Sequence, residues 1–418
     1  MLSLPGSIFS LRGLSSESPV IISQLRAGME EGVQREFSWG VSGKNRAFQM
    51  KTTDDVNRKT ADLFFGAIEK AVREKGRAIV NFPLGRTPLP IFEILVNKYG
   101  DRKDIWKKVY PRIEDEYVGL SSDDPRSWGY YLTVEPGILN RLGIPESNWQ
   151  LIRANAPDLE EEIARFEEQI RATGKLDVTL NGLGPNAHLY YNEPVFLLTP
   201  EALRELVSGD ARRREEILDA CEIEIDLPLA QVTDGVIKIV ELRGLGRITN
   251  IFLSEQLADS LGDSGLAGIR SAFDNAAVNV RIYPHPFNRA RTRLLELSEN
   301  TRAHFSLSPE LGIIITQGLG NILEADTVIL VAIGEKKAEA LKATLVDPAS
   351  PKAPSSGLQL HGNAVAIFDQ EAARQLGERA GMEELRWNEQ LSSNLGEVLP
   401  VVGFQEEANE THSRLVSP

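Results

Sequence analysis

The chain has 418 residues, of which 60 are acidic and 46 are basic, so its formal net charge is −14. This length allows one large domain with an inserted subdomain, or two domains. The acidic balance argues against a nucleic-acid partner, and it means that an anionic substrate must be held by a few local cations and backbone amides.

Cysteine and histidine usage excludes further classes of site. The single cysteine, Cys221, excludes an internal disulfide framework and a cysteine-rich metal site, and it is typical of a reducing compartment. The 5 histidines have no metal-ligand spacing, and no apolar run approaches the roughly 18 residues that span a bilayer. We therefore expect a cytoplasmic protein without a metal, a cofactor or a membrane partner, for which a homo-oligomer stays open.

The N-terminal part of the chain begins irregularly and then becomes regular. Residues 1–50 are rich in Ser, Gly and polar residues without a sustained period, which predicts an extension that wraps the domain or is partly disordered. Thr53 is a candidate N-cap for a helix that ends at Gly76. A short apolar strand at 78–82, a loop at 83–88 and a further helix follow.

The same order of strand, loop and helix recurs downstream. A strand at 109–113 is followed by a helix at 158–172 and a strand at 176–180. Alternation of this kind predicts a three-layer α/β/α, Rossmann-like domain with a mainly parallel sheet that is covered on both faces.

Residues 199–283 alternate between helical and strand patterns of their own. Thr199 and Pro200 predict the start of a helix that continues through the charged run 210–219. The remaining predictions are strands at 236–240 and 248–253, a helix at 255–276 and a strand at 278–283. Gly244-Leu245-Gly246 resembles part of a nucleotide loop, but a plain turn is favoured because a third glycine and a following acidic residue are missing.

The loop at 182–194 follows the strand at 176–180 directly, where open α/β sheets place their chemistry. It carries His188, which can move a proton near neutral pH, and Glu193, whose carboxylate can fold back to fix the histidine tautomer and stabilise its cation. A histidine in such a loop is also compatible with a packed or solvated residue, so the pattern alone leaves both interpretations open.

Two other loops are candidate parts of the same site. Thr87 followed by Pro88 predicts a helix start with the hydroxyl residue at N-cap, whose free N–H groups suit a phosphate, although an ordinary capped turn fits equally well. Asp115 lies just past the strand at 109–113, where a carboxylate reaches the carboxyl edge of the sheet. An aspartate in a loop is also common as a solvated turn residue.

Five segments together resemble one family, the glucosamine-6-phosphate deaminases. The loop at 182–194 resembles the family's Gly-x-Gly-x-Asp-Gly-His-(x)3-Asn-Glu-Pro signature, 115–120 resembles its Asp-Glu-Tyr-Val-Gly motif, and 83–88 resembles its phosphate loop. Residues 318–338 and 358–361 match the family's last third in order and spacing. The resemblance implies the sugar-phosphate isomerase/deaminase fold.

The resemblance also implies a role for each candidate residue. Asp115 corresponds to the general base that takes a proton from C2 of the open-chain amino sugar and delivers it to C1, and Glu116 supports that aspartate or the nearby loop. His188 corresponds to the ring-opening histidine, and Glu193 to its supporting carboxylate. Such groups suit aldose–ketose conversion because a poised carboxylate can take an α-proton that the adjacent carbonyl has acidified.

By the same resemblance, Gly85, Arg86 and Thr87 fall where the family cradles the sugar phosphate, and Lys337 falls on its phosphate-binding lysine. Arg86 stands where the family usually has a second small residue. The family's further phosphate-binding arginine has no counterpart, since the aligned position is near Leu307. Arg86 either replaces that cation through a bidentate contact, or fills the pocket and removes the phosphate site.

Further departures from the family bear on the activity. Asn186 stands where the family has an aspartate, and Ala187 stands where it has glycine. An amide can hydrogen-bond to His188, but it supplies no negative charge to an imidazolium. Family members bridge the segment after Glu193 with a short lid, so residues 197–288 are expected to be an inserted α+β subdomain that emerges beside the site.

The expected organisation is an extension at 1–50, an isomerase/deaminase-like α/β domain formed by 51–196 and 289–397, the insertion at 197–288, and a tail at 398–418. Within this organisation, we expect a small sugar phosphate as the ligand.

The expected function is that of an aldose–ketose isomerase/deaminase for a phosphorylated amino sugar such as glucosamine 6-phosphate. A non-catalytic or regulatory sugar-phosphate binder, and an isomerase of a different sugar, stay open as alternatives. The related phosphogluconolactonases are disfavoured, because they typically carry arginine at the position of Tyr117 and lack the Asn-Glu-Pro ending.

Overall fold

The computed structural model describes residues 32–244, 247–271, 278–283 and 292–377. Residues 1–31 of the predicted extension, Leu245 and Gly246 of the predicted turn, the end of the helix predicted at 255–276, and the predicted tail lie outside these ranges. Within them, no helix is long and apolar enough to cross a membrane.

The regular elements follow the chain in this order. The strands are β1 (Val33–Trp39), β2 (Asn45–Met50), β3 (Ala78–Asn81), β4 (Val109–Arg112), β5 (Asp115–Tyr117), β6 (Val178–Gly182), β7 (Phe196–Leu198), β8 (Glu222–Ile225), β9 (Thr249–Ser254), β10 (Val278–Tyr283), β11 (Arg293–Glu296), β12 (Ile313–Thr316), β13 (Thr327–Ala332) and β14 (Ala364–Phe368). The α-helices are α1 (Thr53–Lys75), α2 (Leu89–Tyr99), α3 (Lys103–Trp106), α4 (Trp128–Thr133), α5 (Ile138–Leu142), α6 (Leu159–Thr173), α7 (Pro200–Ser208), α8 (Ala211–Asp219), α9 (Leu229–Arg243), α10 (Glu255–Ser271), α11 (Glu299–Phe305), α12 (Leu319–Leu323) and α13 (Ala338–Leu345).

Local sequence explains where the long helices begin and end. Helix α1 starts after Thr52, whose side-chain oxygen accepts a hydrogen bond from the Asp55 N–H, and ends at Gly76, which has a φ of 76°. The pattern had placed this cap one residue later, at Thr53. Helix α6 starts after Asp158, whose side chain caps the first turn, so the helix predicted at 158–172 is confirmed to within one residue.

Within the described residues, the main sheet has seven strands in the order β1-β2-β14-β13-β6-β3-β4. β1 pairs antiparallel with β2, and the other neighbouring pairs are parallel. Along β13, Ile329 and Val331 lie in one apolar core, whereas Val328 and Leu330 lie in the other. A mainly parallel sheet that is buried on both faces confirms the predicted three-layer α/β/α fold.

The strand order creates a crevice at the carboxyl edge of the main sheet. From β3 the chain moves outward to β4 and then returns past β3 to β6, so the direction of winding reverses between β3 and β6. Open α/β sheets bind ligands at such a switch point. The loops that leave β3 and β6 are the predicted phosphate loop at 83–88 and the loop that carries His188.

The first two strands, β1 and β2, were not predicted, because residues 33–50 had been assigned to an irregular extension. β2 pairs in parallel with β14, which follows it by more than 300 residues, and Trp39 and Phe48 are fully buried. The pairing that makes these residues regular is long-range, and no local period marks it.

The insertion carries a second sheet, whose strands run in the order β10-β9-β8-β7 and are all parallel. Helices α7 to α10 connect successive strands, so the insertion is α/β and differs from the α+β arrangement that was expected. Gly209, with a φ of 85°, splits the helix predicted from 200 through 219 into α7 and α8.

Two elements of the insertion differ from the pattern. The strand predicted at 236–240 lies inside α9, and β8 was not predicted. The run at 236–240 is rich in β-branched residues, but Val232, Val236 and Ile239 are buried at helical spacing, and packing on one face outweighs the local β preference.

A third sheet, with the antiparallel order β11-β12-β5, links the two parallel sheets. Its strand β5 begins at Asp115, three residues after β4 ends, so the chain passes directly from the main sheet into this one. On the other side, the Asn250 side chain of β9 donates a hydrogen bond of 3.0 Å to the Leu294 carbonyl of β11. The three-stranded sheet therefore joins the insertion to the strand that carries Asp115.

Candidate functional site

His188 lies in the loop after β6, at the switch point of the main sheet. Its Nδ1 atom is 2.6 Å from Oδ1 of Asn186. With the Asn186 oxygen as acceptor, His188 carries its proton on Nδ1 and leaves Nε2 unprotonated, so the amide fixes the tautomer as a carboxylate would. The structure thus brings these two predicted residues together, with a hydrogen bond but without a negative charge.

The backbone of this loop is shaped around the imidazole ring. A Cβ atom at Gly184 would lie 2.4 Å from Nδ1 of His188, so the glycine lets the ring lie against the backbone. Ala187 and Tyr190 have positive φ angles of 65° and 52°. Each costs about 1 kcal/mol relative to glycine, and such strain is found at functional loops more often than elsewhere.

Asp115 is 1% exposed and begins β5 at the carboxyl edge of the main sheet. Burial raises the pKa of Asp115 to about 8, while a hydrogen bond from Thr316, the charge of Arg293 and the Tyr191 backbone N–H oppose the rise. The carboxyl group is therefore an acid–base group poised near neutral pH, as the resemblance required of a general base.

Tyr191 connects the histidine to this carboxyl group. Its backbone N–H donates to Asp115, and its ring stacks against the His188 imidazole, with centroids 6.4 Å apart and an interplanar angle of 11°. Its hydroxyl also lies 2.8 Å from the Tyr117 hydroxyl. His188 and Asp115 thus lie at the same edge of the sheet, and both contact Tyr191.

Glu193 does not support His188 in the way that the resemblance implied. Its buried carboxylate accepts hydrogen bonds from Cys221 Sγ at 3.2 Å, from Ser298 Oγ at 3.1 Å and from the Thr301 hydroxyl. Burial raises the pKa of Glu193, and these donors oppose the rise. Glu193 therefore fastens the His188 loop to the insertion and to α11.

The carboxylate of Glu116, which was expected to support Asp115 or the nearby loop, is also committed to contacts within the protein. Its carboxylate accepts hydrogen bonds from the backbone N–H groups of Tyr117, Trp128 and Gly129, at 2.9, 3.0 and 2.8 Å. Two of these N–H groups open helix α4, where a negative charge is favourable. Even so, burial raises the pKa of Glu116 to about 7. Its role is to hold the start of α4 beside the site.

The predicted phosphate loop lies where expected, but its helix start differs. Helix α2 begins after Pro88, which makes no side-chain cap, and Thr87 is exposed outside it. The Leu89 N–H already bonds to the Arg86 carbonyl at 3.3 Å, and Pro90 has no N–H to offer. The helix start therefore offers fewer free donors than the pattern indicated.

Arg86, the cation of this loop, lies on the surface. Gly85 has a φ of 94°, and its carbonyl accepts a hydrogen bond from the Tyr131 hydroxyl at 2.5 Å. Arg86 is exposed, so it does not fill the crevice. Leu307 packs against the apolar cluster that contains Tyr117, so an aliphatic side chain occupies the position of the family's further arginine.

Lys337 follows β13 at the same carboxyl edge and is half-buried. Among the described residues, its ammonium group has no hydrogen-bond or ion-pair partner. Burial, and then the charge of Lys336, lower the pKa of Lys337 to about 8. A half-buried cation without a partner is stabilised by an arriving anion, as expected of a phosphate-binding lysine.

Sequence reasoning missed the groups that surround Asp115. Glu114 is 6% exposed and accepts a hydrogen bond from the Asn81 amide at 3.0 Å, and burial with the neighbouring Asp115 raises the pKa of Glu114 well above its usual value. Thr316 and Arg293 were missed as well. Glu114 had a local signal, since it opens a run of three acids at a strand end, whereas Thr316 and Arg293 reach the site through pairing across more than 170 residues.

A cavity of about 580 Å³ lies between the His188 loop and the insertion. Its walls include Asn186 and Glu193 from the loop, Arg213 and Asp219 from the insertion, and Lys352. The insertion therefore borders the residue that orients His188. Within the described residues, no cluster of His, Cys, Asp and Glu is arranged to hold a metal ion.

Comparisons with known proteins agree with this fold. The family model for glucosamine-6-phosphate isomerases/6-phosphogluconolactonase matches residues 51–190. A glucosamine-6-phosphate deaminase of Thermoanaerobacter sp. (strain X514) is 24% identical over 320 residues, which cover 77% of this chain and 90% of that protein. One of Cellvibrio japonicus (strain Ueda107) is 26% identical over 342 residues, which cover 82% of this chain and 95% of that protein.

Among solved structures, a monomeric glucosamine-6-phosphate deaminase has the same fold, with a TM-score of 0.52 and 20% identity. The match covers 79% of this chain and 99% of that chain. These findings confirm the predicted resemblance: the chain is similar to the glucosamine-6-phosphate isomerase/6-phosphogluconolactonase family, and the relatives that it matches are named as glucosamine-6-phosphate deaminases, which are enzymes.

Proposed function

We propose that the protein is an aldose–ketose isomerase/deaminase that acts on a phosphorylated amino sugar such as glucosamine 6-phosphate. The observation that carries the proposal is the hydrogen-bonded pair of Asn186 and His188 at the switch point, together with Tyr191, which contacts both His188 and the buried Asp115. The names of the relatives support the same substrate class.

His188 performs ring opening in this proposal. Because Asn186 accepts the Nδ1 proton, Nε2 can take the proton of the anomeric hydroxyl and return it to the ring oxygen. The hydrogen bond fixes the ring orientation, but the developing imidazolium gains no countercharge from the amide. Ring opening is therefore expected to be slower than with a carboxylate at position 186.

Asp115 performs the proton transfer from C2 to C1. Because burial raises the pKa of Asp115 to about 8, its carboxylate is a stronger base than an exposed one, and it can return the same proton once it has been protonated. For the deaminase reaction, the resulting C2 imine is hydrolysed to the ketose and ammonia. The buried position of Asp115 implies that the loop at 188–191 moves to admit the sugar.

Lys337 holds the substrate phosphate, with Arg86 as a second, exposed cation. The partial burial of Lys337 and its lack of a partner among the described residues support this role. The loop that contains Gly85 follows β3 and Lys337 follows β13, so β6 lies between the two strands that lead to them.

The test is incubation with glucosamine 6-phosphate, with ammonia and fructose 6-phosphate measured separately. Wild-type turnover that Asp115→Asn and His188→Gln abolish supports the proposal, and Asp124→Asn, a surface carboxylate paired with Arg126 at 2.8 Å, is the matched control. Formation of neither product contradicts it.

A second candidate is sugar-phosphate binding without turnover. It is favoured by the closed position of Asp115, whose Oδ1 atom is buried without a hydrogen-bond partner among the described residues. Saturable binding of glucosamine 6-phosphate in calorimetry, lost in Lys337→Gln and not accompanied by either product, would establish this function instead. Turnover of another sugar phosphate in a substrate panel would support an isomerase of different specificity.

A further inference from the structure

Three side chains form a line across the small antiparallel sheet. Arg293 on β11 pairs with Thr316 on β12, and Thr316 pairs with Asp115 on β5. Residues directly opposite each other on antiparallel strands project from the same face of a sheet. All three are at most 1% exposed. A guanidinium group therefore lies two strands away from the carboxyl group of Asp115, on the same buried face.

The insertion supplies the countercharge for this guanidinium. Glu222 on β8 accepts two hydrogen bonds from Arg293, at 2.5 Å from Nε and 2.6 Å from Nη2, and both side chains are fully buried. Arg293 Nη2 also donates to Oδ1 of Asn192 at 3.0 Å, in the loop that carries His188. We call Glu222, Arg293, Thr316 and Asp115 the charged row.

Two members of the charged row, Arg293 and Asp115, each keep one polar atom without a hydrogen-bond partner among the described residues. These atoms are Arg293 Nη1 and Asp115 Oδ1, and both are buried. A buried ion pair that only docked the insertion would gain from satisfying every donor, because an unpaired buried donor costs about 1–3 kcal/mol. The spare donor, Nη1, is the guanidinium nitrogen that contacts neither Glu222 nor Asn192.

We propose that Glu222 and Arg293 are positioning residues through which the insertion controls the ionisation of Asp115. This inference rests on the proposed function, in which Asp115 takes and returns the substrate proton. The insertion is then part of the catalytic machinery, in addition to bordering the cavity beside Asn186.

The other groups around Asp115 make a cation necessary. Glu114 and Glu116 flank it on its own segment, and Tyr117 is the next residue on the same face. Tyr190 and Tyr191 cover it from the His188 loop. Two acidic neighbours and burial all disfavour a carboxylate at position 115, whereas Arg293 favours it. Glu222 reduces the stabilisation of the Asp115 carboxylate by Arg293, because its own negative charge offsets most of the arginine charge as felt at Asp115.

The experiment measures the titration of the Asp115 carboxyl group in the full chain. The protonated carboxyl band in infrared difference spectra is assigned to Asp115 by its loss in Asp115→Asn. Glu222→Gln leaves Arg293 without its countercharge, so we expect the pKa of Asp115 to fall by about one unit, the size expected for one charge roughly 10 Å away at an effective dielectric constant of about 20. The double variant Glu222→Leu/Arg293→Met removes both charges with similar volume, and we expect a rise of about half a unit.

The matched control is Glu296→Gln. Glu296 also joins β11 to the insertion, through Arg247 Nε at 2.9 Å and the Ile248 N–H at 3.1 Å, but it lies three residues from Arg293 and projects from the opposite face of the strand. Its loss weakens the docking of the insertion without altering the charged row. We expect the Asp115 titration to stay within a few tenths of a unit of the wild-type value.

Opposite shifts in the two Glu222 variants, with no shift in Glu296→Gln, support the proposal. Unchanged titration, shifts in the same direction, or an equal shift in Glu296→Gln would overturn it, since those outcomes reflect packing alone. If Glu222→Gln does not fold, the double variant decides by the presence or absence of its upward shift. The titration needs no substrate, so an inactive wild-type protein refutes the proposed function and leaves this measurement intact.

Discussion

The buried carboxyl group of Asp115 makes a quantitative prediction about stability. Burial raises the pKa of Asp115 from 3.8 to about 8. A group whose pKa is raised in the folded state favours folding while it is protonated, so its contribution is complete below pH 3.8 and is lost as the pH rises to about 8. Replacement by asparagine removes this pH-dependent loss.

The size of the effect follows from the shift. Each pKa unit corresponds to about 1.4 kcal/mol, so the stability difference between Asp115→Asn and the wild type should change in favour of the variant by roughly 4 kcal/mol between pH 5 and pH 8.5. The amide can accept the same hydrogen bonds through its oxygen, but its NH₂ group is left unpaired in a buried position. That cost of about 1–3 kcal/mol is independent of pH and does not affect the trend.

The assay is urea unfolding of both proteins at pH 5 and pH 8.5, with Asp124→Asn as the control. Asp124 pairs with Arg126, which holds the pKa of Asp124 below its usual value, so its contribution is constant over this range. A difference between Asp115→Asn and the wild type that is the same at both pH values would refute the reasoning. A difference that moves against the variant at high pH would do so as well.

Three further variants test the site. Asn186→Asp places a carboxylate beside Nδ1 of His188. If the protein is a weakened deaminase, we expect turnover of glucosamine 6-phosphate to rise about tenfold or more, since about 1.4 kcal/mol of barrier is a factor of ten. Unchanged turnover in steady-state kinetics counts against the proposed ring opening. Lys337→Gln should weaken binding of inorganic phosphate about tenfold or more in calorimetry, whereas Lys336→Gln, on the exposed neighbour, should have a smaller effect; equal losses would contradict the assignment. Gly184→Ala forces the imidazole away from its position, so turnover should fall at least tenfold while substrate affinity changes little, and an unaltered kcat would show that the ring position is unimportant.

The sequence by itself determined the features that depend on neighbouring residues. Apolar periodicity and capping signals located α1 and α6, and the alternation of helices and strands gave the parallel sheet. The contact between Asn186 and His188 spans two residues of one loop, so the local motif was enough to bring the two together. The general rule that open α/β sheets carry their chemistry at the carboxyl edge then predicted where the candidate loops lie.

Only the tertiary structure decided which partners the buried charges have. Glu193 is five residues from His188 in sequence, yet its carboxylate bonds to Ser298 and Thr301, more than 100 residues away. Arg293 lies on the same sheet face as Asp115 only because β12 pairs with the strands of both residues. The countercharge of Arg293 comes from the insertion. A buried carboxylate is stabilised by whichever donors the fold brings within hydrogen-bond distance, and sequence spacing does not encode that distance between residues that meet only after the sheets have assembled.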